Sequence, residues 1–143
     1  MVRLRYRFLV YQVLTESGAP VSSDFSMRDL LTAIREKIQI LSGDIGTGSF
    51  GNSSVIKLYD EKTKIFVLRV SREADMQIRL AVLCTTLVKK NNVVIRLLAA
   101  TASGRTARQQ LNTIFTHVLD QSDSSDSEGL KVYFAELLHN VAL

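Results

Sequence analysis

Tryptophan is absent from this 143-residue chain, and cysteine and proline occur once each, as Cys84 and Pro20. A single thiol cannot close an intrachain disulfide or supply a cysteine-rich metal framework, so the fold must rest on a packed core. Cys84 lies among Ala81, Val82, Leu83 and Leu87 and is expected to be a buried packing thiol. The two histidines, His117 and His139, stand on either side of an acidic stretch and read as surface or packing residues. No apolar run approaches the roughly 18 residues of a membrane helix. The arginine-rich start lacks the apolar block of a signal peptide. The expectation is a soluble intracellular chain with no membrane partner.

What is present suits one globular domain, with 46% hydrophobic and 22% charged residues. The net charge of +4 conceals an asymmetry. Residues 1–120 hold 17 Lys and Arg against 10 Asp and Glu, whereas residues 121–143 hold 1 against 4. A basic body favours a polyanionic partner.

The first ten residues read as a β-strand in which Arg3, Arg5 and Arg7 share one face and Leu4, Tyr6, Phe8 and Val10 the other. One face suits phosphate and the other a core. The same arginines could equally protect an edge strand from pairing with another sheet.

This strand, about 3–14, ends at Gly18-Ala19-Pro20. Ser26, with Asp29 three residues on, starts a helix whose Leu30, Ile34, Ile38 and Leu41 recur at helical spacing. Gly43 is placed to close it with a left-handed cap. Val55–Tyr59 and Lys64–Val70 flank Asp-Glu-Lys-Thr as a hairpin. Ser71 is expected to cap a second helix, about 72–89, with Met76, Leu80, Leu83 and Leu87 as its apolar stripe. A strand over Val93–Ala100 and a helix over Thr106–Asp120 follow.

The order β-α-β-β-α-β-α implies an α+β fold, a four-stranded antiparallel sheet of the ferredoxin-like type shared by RNA-recognition motifs. It divides the chain into a domain at 1–120, an acidic Ser-rich linker at 121–129 and an added C-terminal amphipathic helix at 130–143. That helix either returns to the sheet or, as we expect, docks in a complex.

Catalytic constellations are missing. Gly46-Thr47-Gly48-Ser49-Phe50-Gly51 has the outline of a kinase glycine loop, but Arg69 stands at the lysine position and no His-Arg-Asp or Asp-Phe-Gly follows. A dinucleotide-binding turn would open a helix, and this stretch leads into a strand. It reads as a loop. Asp60 and Glu61 are neighbours on a hairpin turn and are expected to be solvated. No enzyme activity is expected of the protein alone, nor any cofactor bound by it.

The third strand, Lys64–Val70, carries one aromatic where base-stacking motifs carry several. Basic residues lie instead at the margins, including Lys57, Arg69, Arg72 and the pair Lys89-Lys90. Ser103-Gly104-Arg105-Thr106 with Arg108 would set helix amides and two arginines around a phosphate.

Together these residues resemble the Rpp-fourteen/Pop-five family of ribonuclease P and ribonuclease MRP subunits. Met1-Val2-Arg3-Leu4-Arg5-Tyr6-Arg7-Phe8-Leu9 is similar to the family's opening, with Arg5 for lysine and Phe8 for tyrosine. Leu41–Gly46 resembles its helix end and glycine-containing loop, and Ile65–Arg72 its central strand leading into the second helix. Ser103-Gly104 resembles its Ser-Gly-Thr element, although Arg105 follows the glycine and Thr106 comes one place late.

The resemblance implies a noncatalytic subunit that braces a catalytic noncoding RNA, with magnesium on the RNA, for removal of 5′ leaders from precursor tRNA and for rRNA processing. It implies a TIM-barrel-like protein partner, a second small subunit of similar fold, and a nuclear and nucleolar location. Arg3, Arg5 and Arg7 would touch core RNA, and Ser103, Gly104, Arg105, Thr106 and Arg108 would add a second phosphate contact. The rival expectation is a protein-interaction module without RNA contact.

Overall fold

Phe8-Leu9-Val10-Tyr11 is apolar at every position, so a strand made of it must be covered on both faces. The computed structural model, which describes residues 5–17, 25–121 and 127–140, does this with two pairs of helices. The elements are β1 (Tyr6–Leu14), α1 (Met27–Ser53), β2 (Val55–Asp60), β3 (Ile65–Ser71), α2 (Asp75–Cys84), β4 (Leu87–Val88), β5 (Asn91–Asn92), β6 (Val94–Thr101), α3 (Gly104–Gln121) and α4 (Ser127–Asn140). The main sheet has the order β2-β3-β1-β6 and is antiparallel throughout, the ferredoxin-like arrangement expected from the sequence. β4 and β5 form a separate small hairpin.

One face of the sheet presents Leu9, Tyr11, Val13, Phe66, Leu68 and Val70 to α1 and α2. The other presents Phe8, Val10, Leu58, Ile65 and Val67 to α3 and α4. The face on which an RNA-recognition motif stacks bases is therefore covered. The terminal helix returns to its own sheet instead of waiting for a partner. Phe134 of α4, 3% exposed, lies parallel to Phe115 of α3 with ring centroids 4.3 Å apart.

Asp60 supplies a polar clasp. Expected to be solvated, it is 0% exposed and accepts hydrogen bonds from the Lys62 and Thr63 amides and the Thr63 hydroxyl. Tyr133 of α4 donates the remaining one at 2.5 Å. Both carboxylate oxygens are thus engaged, which offsets the cost of taking the group out of water.

Ser26 and Asp29 form a reciprocal capping box at the start of α1. The Ser26 amide and hydroxyl hold the Asp29 carboxyl below the usual carboxylate range. The end of α1 departs from the expectation. Gly43 does take a left-handed φ of 65°, but the helix resumes and runs to Ser53, so the supposed glycine loop at 46–51 is helical. Phe50, 1% exposed, anchors this second segment in the core. At Gly46 any Cβ would collide with that of Ser42, so the missing side chain permits the bend.

The second helix also differs. Ser71 still belongs to β3, and α2 begins at Asp75, where an ion pair to Arg79 spans one turn. Its buried side is Ile78, Ala81 and Val82. The large residues expected inside face outward, with Met76 75%, Leu83 70% and Leu80 52% exposed. Small residues let α2 sit close to α1 and the sheet, and a stripe chosen by size alone points the wrong way. The helix stops at Cys84, which is half-buried, and the stretch expected to continue it to Lys89 is the β4–β5 hairpin.

Gly43, at φ 65° and ψ −159°, occupies a region open essentially to glycine alone. Gly43→Ala is expected to cost about 1–3 kcal/mol in chemical denaturation. Burial raises the Tyr11 hydroxyl far above its ordinary range and pushes Tyr59 up to about 12. The tyrosine contribution is complete below about pH 10, the unfolded value. It is lost as pH rises toward about 12, because the unfolded chain gives up protons that the folded chain retains. Melting temperature should therefore fall across this alkaline window. The buried Tyr11 hydroxyl has no hydrogen-bond partner. Tyr11→Phe should therefore stabilise the protein by about 1 kcal/mol and flatten the alkaline decline.

Candidate nucleic-acid interface

β1 starts, β3 and β6 end, and α3 begins at one end of the sheet. Arg7 pairs with Val70 and shares its face with Leu9, Tyr11 and Val13. The arginine face is thus the α1/α2 core face, and only its outer end is available to a ligand. Arg7 is half-buried there and Arg5 exposed; Arg3 lies outside the described residues. The Arg5 carbonyl accepts the Arg72 amide at 2.9 Å, which ties the start of β1 to the exit of β3.

On the opposite face, Arg69 lies in register with Phe8, which in turn pairs with Thr101. Its guanidinium stands 4.4 Å from the centroid of the Tyr6 ring, a cation–π contact that fixes the side chain. Its Nε is buried without an acceptor. A buried donor left unpaired is costly. Arg69 stood in the sequence as a marginal cation in the place of a kinase lysine. Its setting depends on a Tyr6 partner 63 positions away, which local patterning does not reveal.

α3 opens two strand spacings from Arg69, roughly 10 Å. The Ser103 hydroxyl accepts the Thr106 amide at 3.2 Å, and the Ser103 carbonyl accepts the Ala107 amide at 3.0 Å. Gly104 and Arg105 are the first two helical residues, whose amides have no intrahelical acceptor and point outward with the positive end of the helix dipole. Arg105 and Arg108 are exposed beside them. The Thr106 hydroxyl is engaged with that of Ser103 at 2.8 Å and belongs to the cap.

The structure thus gathers Arg5, Arg7, Ser103, Gly104, Arg105, Thr106 and Arg108 at one end, distributed over both faces. Exposed guanidinium groups and free helix-end amides stand together there as hydrogen-bond donors. Among the described residues, no three His, Cys, Asp or Glu side chains cluster as metal ligands.

These features define a small ferredoxin-like α+β protein whose candidate interface lies at a sheet end rather than on an open sheet face. The model of the Rpp14/Pop5 family matches residues 7–112, and the chain belongs to that family. It is similar over 95% of its length to a chain in the cryo-EM structure of yeast ribonuclease MRP, covering 93% of that chain at 10% identity with a TM-score of 0.51. At this identity the likeness concerns the fold. No curated protein matches the sequence. α4 lies beyond the family match.

Ser103→Ala should cost about 1 kcal/mol of stability through loss of the α3 cap, whereas Ser103→Gly should cost only a few tenths; urea denaturation of the pair checks the assignment.

Proposed function

We propose that this chain is a noncatalytic, RNA-contacting subunit of a ribonucleoprotein of the ribonuclease P and ribonuclease MRP class. Its family membership supports the assignment. The observation that carries the RNA contact is the convergence of Arg5, Arg7, Arg69 and the α3 start at one sheet end. Cations on a rigid frame neutralise crowded phosphates and reduce the magnesium that the RNA needs to stay compact. In this reading the RNA and its magnesium ions perform the chemistry, on precursor tRNA leaders and on rRNA precursors. The complex works in the nucleus and nucleolus, alongside a TIM-barrel-like subunit and a small subunit of similar fold.

One observation favours a second role. Met76, Leu80 and Leu83 expose large apolar side chains along α2, a face suited to another protein. The two roles are compatible and respond differently to salt. Phosphate contacts weaken steeply as salt rises, and an apolar interface does not.

The test is affinity purification of the tagged chain from its own cells, with sequencing of bound RNA and a precursor tRNA cleavage assay. One structured noncoding RNA and leader-removing activity are expected. Reversing Arg3, Arg5 and Arg7 to Glu should strip that RNA from the chain, with each lost phosphate contact lowering the log–log salt slope by about 0.7–0.9. Recovery of protein partners with no RNA would leave only the interaction role standing.

A further inference from the structure

Among the described residues, three that are not glycine have a left-handed backbone, and all three are lysines: Lys64 (φ 56°), Lys89 (φ 46°) and Lys90 (φ 67°). A residue with a Cβ resists this conformation, which glycine takes freely and asparagine or aspartate more readily than most. Lys64 has a visible reason for its placement. It is buried, with Nζ 4.9 Å from the Phe25 ring centroid and 5.9 Å from that of Tyr59.

Lys89 and Lys90 lack a comparable reason. They are the two central residues of the β4–β5 hairpin, and consecutive positive φ values are those of the tight turn in which Asn-Gly is favoured. Burial on both sides sets the register. Val88 and Val93 are 0% and 1% exposed, and the Val93 amide donates to the Thr86 carbonyl at 2.9 Å. A slip of one residue would turn Val88 out of the core. The core thus dictates which positions form the turn but not which residues fill them. Asn91 and Asn92, better suited to the conformation, stand just outside it.

The lysines gain little from the rest of the chain. The Lys89 side chain is 61% exposed, with Nζ 3.9 Å from Asp29 Oδ2, the outer limit of an ion pair. Lys90 is exposed and has no carboxylate within ion-pairing distance among the described residues. Asp29 and Glu36 line the groove between α1 and the hairpin, so an anion would be met at the outer side of the turn. Strained residues cluster at ligand-contacting sites, and here the strain is carried by two charged residues.

We propose that the Lys89–Lys90 turn is a second phosphate-contacting site, which grips the RNA backbone at the end of the molecule opposite Arg69 and the α3 start. The hairpin precedes β6 and α3 follows it, so the eight residues of that strand separate the two sites by roughly 25 Å. A tight turn holds both ammonium groups on a short, firm base, whereas lysines on a long loop would give up more freedom on binding. This inference rests on the RNA-subunit reading and adds a separate contact to it.

The full-length wild type is compared with Lys89→Asn/Lys90→Gly and, separately, with Arg105→Glu/Arg108→Glu. Affinity for fluorescein-labelled transfer RNA is followed by anisotropy across a potassium chloride series, with thermal melting in parallel. The lysine variant is expected to melt a few degrees higher, because its turn is relaxed. It should nevertheless bind several-fold more weakly at low salt, with a log–log slope smaller by about one to two. Unchanged affinity and slope, or a lower melting temperature, would overturn the proposal. If the arginine variant loses binding and the lysine variant does not, the second site alone is refuted. A wild type that does not bind the RNA at all refutes both readings.

Discussion

Everything in this molecule is arranged around a central strand with no polar face. Leu9, Val10 and Val13 are fully buried, and β1 hydrogen-bonds to β3 on one side and β6 on the other. Two apolar faces require two helical layers, and the second layer lies where a related fold would present its sheet to RNA. A polyanion therefore cannot reach the sheet through its faces, and the candidate contacts, the Arg5–Arg7 strand start, Arg69 on Tyr6 and the α3 terminus, stand at one end of it.

Covering the second face takes both α3 and α4. Phe134 supplies the apolar contact, and the Tyr133–Asp60 hydrogen bond ties α4 to the β2–β3 turn across 73 positions of sequence. Lys62, on the same turn, places its ammonium 3.9 Å from the centroid of the Tyr133 ring. A hydrophobic stack and a satisfied buried carboxylate thus fix α4 at two points of different chemistry, which specifies its position better than either would alone.

Much of the framework was legible in the sequence. Alternation and turn chemistry marked β1, the β2–β3 hairpin and β6, and Ser26 with Asp29 marked the start of α1. The misreadings share one cause, which is that a side chain's surroundings come from distant residues. Gly43 reads in sequence as a helix cap and the stretch 46–51 as a loop, and only the packing of Phe50 shows that Gly43 and Gly46 shape a bend between helical segments. Met76, Leu80 and Leu83 have the spacing of a core stripe, but the close approach of α2 selects Ala81 and Val82 instead. Asp60 looked solvated until Tyr133 arrived from the far end of the chain. At the candidate interface, Ser103–Arg108 was readable because capping and helix-terminal amides are local. The Arg69–Tyr6 contact was not, since it exists only across strands.

The placement of β1 also bears on how the chain is made. Of the four strands of the main sheet β1 is made before the others, yet it lies inside the finished sheet, and its pairing with β6 closes only when Thr101 has emerged. At about 5–20 residues per second, several seconds or more separate the two events. Throughout that interval a fully apolar segment stands with one edge or both edges unpaired, which is the condition that invites aggregation. Contacts so distant in sequence also slow the search for the native arrangement. The strand that makes the fold possible is therefore the one that a nascent chain must have shielded longest.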